Sequence, residues 1–98
     1  MALKIIFMGT PDFAVPILRS IKNSGHNILC VYTQTPKRKN RGQKEGHTPI
    51  HEFSKQNNLK VRHPEKLNTD EELQFFKKEK PDVVVVVAYG KILPNKLL

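Results

Sequence analysis

Short continuous apolar runs alternate along this chain with longer stretches in which apolar residues recur every three or four positions. The first pattern reads as strands buried on both faces, the second as helices with one dry side. Leu3–Met8, interrupted by a single Lys, is the first strand, and Gly9-Thr10-Pro11 ends it. Ile28 to Tyr32 fill a second strand over Asn27–Thr33. A brief third strand spans Lys60–His63 around Val61, and the five valines from Val83 to Val87 make the fourth.

Ala14, Ile17, Leu18 and Ile21 form an apolar stripe on a helix running from about Asp12 or Phe13 to Ser24. Pro16 confines its start, because a proline ring clashes with the carbonyl four residues back unless it lies in the first turn. Asp12 is expected to cap this helix and Gly25 to end it. Thr48-Pro49 combines an N-cap with proline at the first helical position, so a second helix should run to about Gln56, where Asn57-Asn58 close it. Thr69-Asp70-Glu71-Glu72 is a Thr-x-x-Glu capping box. It opens a third helix with Leu73, Phe75 and Phe76 on its apolar face.

Strand and helix thus alternate as β-α-β-α-β-α-β, the pattern of an α/β protein with a parallel sheet and right-handed crossovers. The expected strand order is 3-2-1-4, half of a doubly wound, Rossmann-like sheet. That order puts the valine strand at an edge. Flat apolar edges are rarely left bare. Further strands beyond Leu98 are therefore expected to cover it, with a dimer partner as the alternative.

The chain has 98 residues and a net charge of +8. A basic excess of this size points to a polyanion: nucleic acid, a phosphorylated ligand or an anionic membrane. The longest apolar run, Val83–Ala88, has six residues, far short of a membrane span. The first ten residues carry no signal-peptide pattern. Cys30 is the single cysteine, which excludes a disulfide framework and a cysteine-based metal site and fits a reducing cytoplasm. His47 and His51 have the i, i+4 spacing of two metal ligands, yet no third ligand is evident and His47 precedes the expected cap.

Three stretches could carry function. Met8-Gly9-Thr10-Pro11-Asp12-Phe13 lies after the first strand at a helix N-terminus, where backbone N–H groups attract anions. With Gly9 alone it lacks the three spaced glycines of a dinucleotide site, and the Walker pattern is absent. It also reads as a plain tight turn with two prolines setting the helix entry. Lys37-Arg38-Lys39-Asn40-Arg41-Gly42-Gln43-Lys44 is the second: five of its eight residues are basic and none is acidic. It suits either a solvated disordered loop or phosphate contacts without sequence readout, and it has no aromatic residue for base stacking. Ala88-Tyr89-Gly90-Lys91-Ile92-Leu93-Pro94 is the third. It follows the valine strand at its carboxyl end, where open α/β sheets bind ligands.

Gly9-Thr10-Pro11-Asp12-Phe13-Ala14-Val15-Pro16 directly after a first strand resembles the opening of the methionyl-tRNA formyltransferases. The likeness continues through Ser24-Gly25-His26, Val31-Tyr32-Thr33-Gln34 and Val87 to Pro94, in the family's order and spacing. The resemblance implies formyl transfer from 10-formyltetrahydrofolate to the α-amine of methionyl-initiator-tRNA. It further implies that Gly9, Thr10, Pro11 and Phe13 face the substrate. Lys37, Arg38, Lys39, Arg41 and Lys44 would grip tRNA in a loop that is disordered alone and ordered by the RNA. Tyr89, Gly90, Ile92, Leu93 and Pro94 would wall the folate pocket, with Ile92 and Leu93 as apolar contacts. The family's catalytic Asn-x-His, Ser-Leu-Leu-Pro and distant Asp, and its C-terminal β-barrel, are not in this sequence. Residues 1–98 are accordingly expected to form the N-terminal part of the catalytic domain of a monomeric cytoplasmic enzyme, and to be inactive alone. Two other readings stay open: a sugar-nucleotide or purine-pathway formyltransferase fragment, and a non-catalytic basic α/β module that binds RNA.

Overall fold

The structure, a computed structural model, describes residues 2–34, 37–38 and 45–90. In chain order its elements are β1 (Lys4–Gly9), a one-turn 3-10 helix (Asp12–Ala14), α1 (Val15–Asn23), β2 (Asn27–Tyr32), β3 (Lys37–Arg38), β4 (Glu45–Gly46), α2 (Pro49–Gln56), β5 (Val61–Arg62), α3 (Asp70–Glu79) and β6 (Val83–Val87). Four strands form one sheet in the order β5-β2-β1-β6, parallel at every pairing. Counting these four alone, the order is 3-2-1-4, half of a doubly wound α/β sheet, as the apolar pattern predicts. Strand β1 meets β6 residue for residue from Ile5↔Val83 to Gly9↔Val87. Against β2 it slips once, between Ile5 and Ile6, leaving Leu29 as the extra residue.

Side chains alternate across the sheet and divide the core into two layers. Ile6, Met8, Cys30 and Tyr32 face one side, where Leu67, Phe75, Phe76 and Tyr89 pack on them. Phe7 and Val31 face the other, covered by Ala14, Leu18, Ile50 and Phe53 from the α1 and α2 side. The valine strand corrects one expectation. It is not buried on both faces: Val83 is 38% and Val86 46% exposed. The reason is position, because β6 is paired to β1 alone among the described residues.

The helix starts show where local signals hold and where packing overrides them. Thr48 Oγ1 accepts from the His51 N–H at 3.1 Å, with Pro49 first in α2. Thr69 Oγ1 accepts from the Glu72 N–H at 3.4 Å. Asp12 does not cap α1: the chain enters through the 3-10 turn, closed by an Ala14 N–H to Pro11 C=O bond of 3.1 Å, and Ala14 is the N-cap without a side-chain bond. Ile17, expected on the dry stripe, is 39% exposed. The capping box is only half made, since the Glu72 carboxylate turns inward instead of back to Thr69.

There Glu72, buried under α3, closes a polar network at the carboxyl ends of β2 and β5. Tyr32 donates its hydroxyl to Oε1 at 2.5 Å. Arg62 donates Nε to Oε1 at 3.0 Å and Nη2 to Oε2 at 2.6 Å, a bidentate pair. The Arg62 guanidinium also stacks 4.3 Å from the Phe75 ring centroid. Burial pushes the Glu72 carboxyl up, but the Arg62 and Tyr32 hydrogen bonds outweigh it and hold the acid below its usual range. Burial first, then the hydrogen bond to the Glu72 carboxylate and its charge, pushes the Tyr32 hydroxyl up.

Two predictions test this core. A carboxyl held low when folded stabilises the fold above its unfolded value of about 4.3, and that contribution disappears as pH falls through the lower folded value. Glu72→Gln should lower stability at pH 7 by about 2–3 kcal/mol, because Arg62 loses its buried bidentate partner and keeps only the exposed Glu71 carboxylate at 3.5 Å. It should also flatten the loss of stability in acid, both read as urea midpoints. Tyr89 is 1% exposed and its hydroxyl has no partner among the described residues. Tyr89→Phe should therefore leave the midpoint unchanged or raise stability by up to about 1 kcal/mol, since an unpartnered buried hydroxyl is a cost.

Candidate functional site

Strands β1, β2 and β6 end side by side, so the segments that follow them meet at one edge of the sheet. Their meeting point is a single carbonyl. Thr10 Oγ1 donates to the Tyr89 C=O at 2.7 Å, and Gln34 Nε2 donates to the same oxygen at 3.1 Å. Thr10 follows β1, Gln34 follows β2 and Tyr89 follows β6, so two side chains tie three loops together. The turn they hold is unusual in its backbone. Ala88 has φ 50° and Gly90 φ +95°, both in the left-handed region. A Cβ on Gly90 would also collide with the Gln34 side-chain amide. The positive φ is what calls for glycine, since the Gln34 amide is the end of a flexible side chain that can move aside.

Gly9 has a packing reason rather than a conformational one. A Cβ there would lie 2.8 Å from the Phe7 ring and 3.0 Å from the Val87 carbonyl oxygen. It lets β1, β6 and the 3-10 turn close on one another, while Pro11, extended at φ −79° and ψ 170°, leads into that turn. Phe13 lies on the turn with 61% of its surface exposed, the largest value among the exposed apolar residues. Tyr89 goes the other way: its ring is core, and only its main chain faces the strand-end edge. Burial first, then the nearby Glu72 charge, pushes its phenol up to about 12. Ile92, Leu93 and Pro94 lie outside the described residues.

The basic stretch is anchored at its base. Lys37–Arg38 pairs antiparallel with Glu45–Gly46, in the register Lys37↔Gly46 and Arg38↔Glu45. Just outside this ladder the Thr33 and Thr48 hydroxyls share a hydrogen bond of 2.6 Å. Lys37 and Arg38 lie on β3 at the foot of the segment, while Lys39, Arg41 and Lys44, and with them most of the loop expected to be ordered by RNA, lie outside the described residues. Beside the feet, the His47 and His51 rings stack at 4.1 Å, and His63 approaches His51 at 5.5 Å. His47 Nδ1 also meets the Glu52 carboxylate at 3.2 Å. Burial, then His47 and His63, hold His51 below its usual range, which favours the neutral ring. No set of three His, Cys, Asp or Glu side chains among the described residues is placed to hold a metal.

Other reactive groups lie away from this edge or are spoken for. The Cys30 thiol is buried and desolvation pushes it up to about 12, so it is no nucleophile at neutral pH. A shallow hollow of about 330 Å³ is lined by Pro64, Glu65, Lys66, Thr69, Glu71 and Glu72 and shares no residue with the Tyr89 junction. His26 serves structure, accepting the Leu3 N–H on Nδ1 at 3.0 Å. Sequence reasoning missed Gln34 as a site residue. Its signal was present only as the last letter of the Val31-Tyr32-Thr33-Gln34 motif, and nothing local says that its amide reaches a residue 55 positions later.

The sequence matches the formyl transferase family over residues 3–98. It is 47% identical over 96 residues to a methionyl-tRNA formyltransferase of Paramagnetospirillum magneticum, covering 98% of this chain and 32% of that protein. It is 47% identical over 96 residues to the enzyme of the same name from Clostridioides difficile, covering 98% of this chain and 31% of that one. The chain thus spans about a third of the length of these curated relatives. Among solved structures it is similar to phosphoribosylglycinamide formyltransferase from Streptococcus pneumoniae, with a TM-score of 0.60 and 14% identity over 99% of this chain and 50% of that one. At that identity the likeness speaks for the fold alone. The match across nearly the whole chain gives one conclusion: this chain belongs to the formyl transferase family.

Proposed function

We propose that the protein formylates the amino group of methionyl-initiator-tRNA with 10-formyltetrahydrofolate as donor, in the cytoplasm and as a monomer. Residues 1–98 supply the N-terminal part of the catalytic domain in this reading. The observation that carries it is the junction at the Tyr89 carbonyl, which brings a turn with an exposed aromatic ring, a strained strand-end turn and the root of the basic segment to one edge. The names of relatives about 45% identical support the choice of acceptor. No helix among the described residues is long and apolar enough to cross a membrane, and Cys30 is a free thiol.

The chemistry asks for three things. The amine attacks the formyl carbon, the tetrahedral intermediate needs a donor for its oxygen, and the bond to the folate nitrogen breaks as the amine loses its proton and that nitrogen gains one. Residues of this chain answer the binding side of that scheme. The exposed main chain of Ala88 and Gly90 suits the donor–acceptor edges of a pterin. The Phe13 ring offers apolar area on the substrate side. Lys37 and Arg38, at the foot of the basic stretch, together with Lys39, Arg41 and Lys44, neutralise phosphates of the acceptor arm without reading sequence. Ile92, Leu93 and Pro94 complete the folate wall in the proposal.

Two experiments test it on the full product of the gene. With 10-formyltetrahydrofolate as donor, methionyl-initiator-tRNA should be formylated, and phosphoribosylglycinamide and amino-sugar nucleotides should not; transfer to either of the latter in place of the tRNA contradicts the reading. Replacing Lys37, Arg38, Lys39, Arg41 and Lys44 with Ala should weaken tRNA binding and shallow the plot of log affinity against log salt, by up to about 0.9 in slope for each phosphate no longer neutralised. An unchanged slope would remove the basic stretch from the RNA interface.

A further inference from the structure

Of the three non-glycine residues with positive φ among those described, Asn58 and Lys80 close α2 and α3, where a left-handed residue is a routine ending. The third, Ala88, follows strand β6 at φ 50°. A Cβ is disfavoured in that conformation, and such residues persist only where their surroundings fix them. What fixes Ala88 is the residue after it. The Tyr89 ring is held in the core, and its carbonyl accepts from Thr10 Oγ1 at 2.7 Å and from Gln34 Nε2 at 3.1 Å. With ring and carbonyl both held, Ala88 must make the bend. The peptide unit is planar and trans, so a carbonyl bonded towards Thr10 and Gln34 sends the Gly90 N–H the opposite way. Gly90 is exposed, and its N–H has no partner among the described residues. The two donors differ in stiffness. Thr10 has a β-branched side chain, stiff at χ1, and follows β1, which is paired on both sides. Gln34 reaches the carbonyl through a longer, flexible side chain. The Thr10 bond also commits the only proton of its hydroxyl, which leaves that side chain no donor for a substrate.

We propose that Thr10 is a positioning residue for the formyl donor: through the Tyr89 carbonyl it holds Ala88 left-handed and so aims the Gly90 N–H at an acceptor atom of the folate heterocycle. The inference rests on the functional reading above, which puts a folate at this turn. It goes beyond that reading by moving Thr10 from the substrate contact that the resemblance implies to the donor side of the site. The physical ground is preorganisation. A turn already bent and aimed loses little freedom when its ligand arrives. Without the Thr10 bond the 89–90 peptide can rotate and Ala88 can relax to an ordinary conformation, so the ligand itself must order the same N–H. That cost falls equally on the bound donor and on the transition state. It therefore enters the donor KM and leaves kcat alone.

The test assays the full gene product with 10-formyltetrahydrofolate and methionyl-initiator-tRNA, and titrates tetrahydrofolate binding directly. Thr10→Val keeps the shape of the side chain and removes the donor. It should raise the donor KM and the tetrahydrofolate Kd by about three- to tenfold, the ordinary contribution of one hydrogen bond. The kcat and the tRNA KM should stay within about twofold of the unaltered protein. Thr10→Ser keeps the hydroxyl and should bring the donor KM back to within about twofold. Ala88→Gly reaches the same turn without touching the hydrogen bond. Glycine accepts the left-handed region without strain, so the urea midpoint should not fall. It is also free to leave that region, so tetrahydrofolate should bind about twofold or more weaker. An unchanged donor KM in Thr10→Val, an equal rise in its tRNA KM, or a Thr10→Ser protein no better than Thr10→Val overturns the proposal while the functional reading stands. If the unaltered protein binds tetrahydrofolate but formylates another acceptor, the functional reading fails and the titration alone decides for or against Thr10. If it does not bind tetrahydrofolate, both fall.

Discussion

Strand β1 has no solvent face. From Ile5 to Gly9 its residues are buried, and its backbone is paired on both sides, to β2 and to β6. At its start the frame is tied by a reciprocal pair, the Lys4 N–H to the Asp82 carboxylate and the Asp82 N–H to the Lys4 carbonyl, each at 2.8 Å. With β1 held at that end and on both edges, the carboxyl ends of three neighbouring strands are forced to one level. Thr10, Gln34 and Tyr89 meet there because the register leaves them nowhere else to go. The site is a consequence of sheet register before it is a consequence of any single side chain.

The same logic explains the division of polar groups. In the core, ionisable groups are paired or neutral: the buried Glu72 carboxylate with Arg62 and Tyr32, and Cys30 as a thiol. At the strand-end edge, polar groups instead bond to the main chain, with two side chains sharing one carbonyl. The first arrangement makes a stable interior. The second leaves a loop junction whose bonds can be exchanged for water at modest cost, which suits a surface that must receive ligands.

The fold was legible in the sequence because its signals are local. Apolar runs gave the four strands, and Thr48, Thr69 and Pro49 marked helix starts within a residue of where they occur. The failures share a cause. Asp12 looks like a cap, but Pro11 and Pro16 steer the chain into a 3-10 turn that needs none. Glu72 has the spacing of a capping box, yet burial beside Arg62 offers its carboxylate a better partner than one backbone N–H. The valine run looks doubly buried, and its pairing on one side leaves Val83 and Val86 in water. For the site, the resemblance pointed to the Gly9–Phe13 turn and the Tyr89–Gly90 segment. It could not tell that Tyr89 contributes only its main chain, or that Gln34 joins the segments. Those facts depend on pairing across 55 residues or more, which no window of sequence contains.

The central claim is that ligands of this protein gather at the carboxyl ends of β1, β2 and β6. Amide hydrogen exchange on the full gene product, with and without tetrahydrofolate, tests it most directly. The account predicts slowed exchange at Thr10–Ala14 and Ala88–Gly90, with Pro64–Glu72 unchanged. Protection centred on the Pro64–Glu72 hollow, with the strand-end turns unaffected, would contradict it.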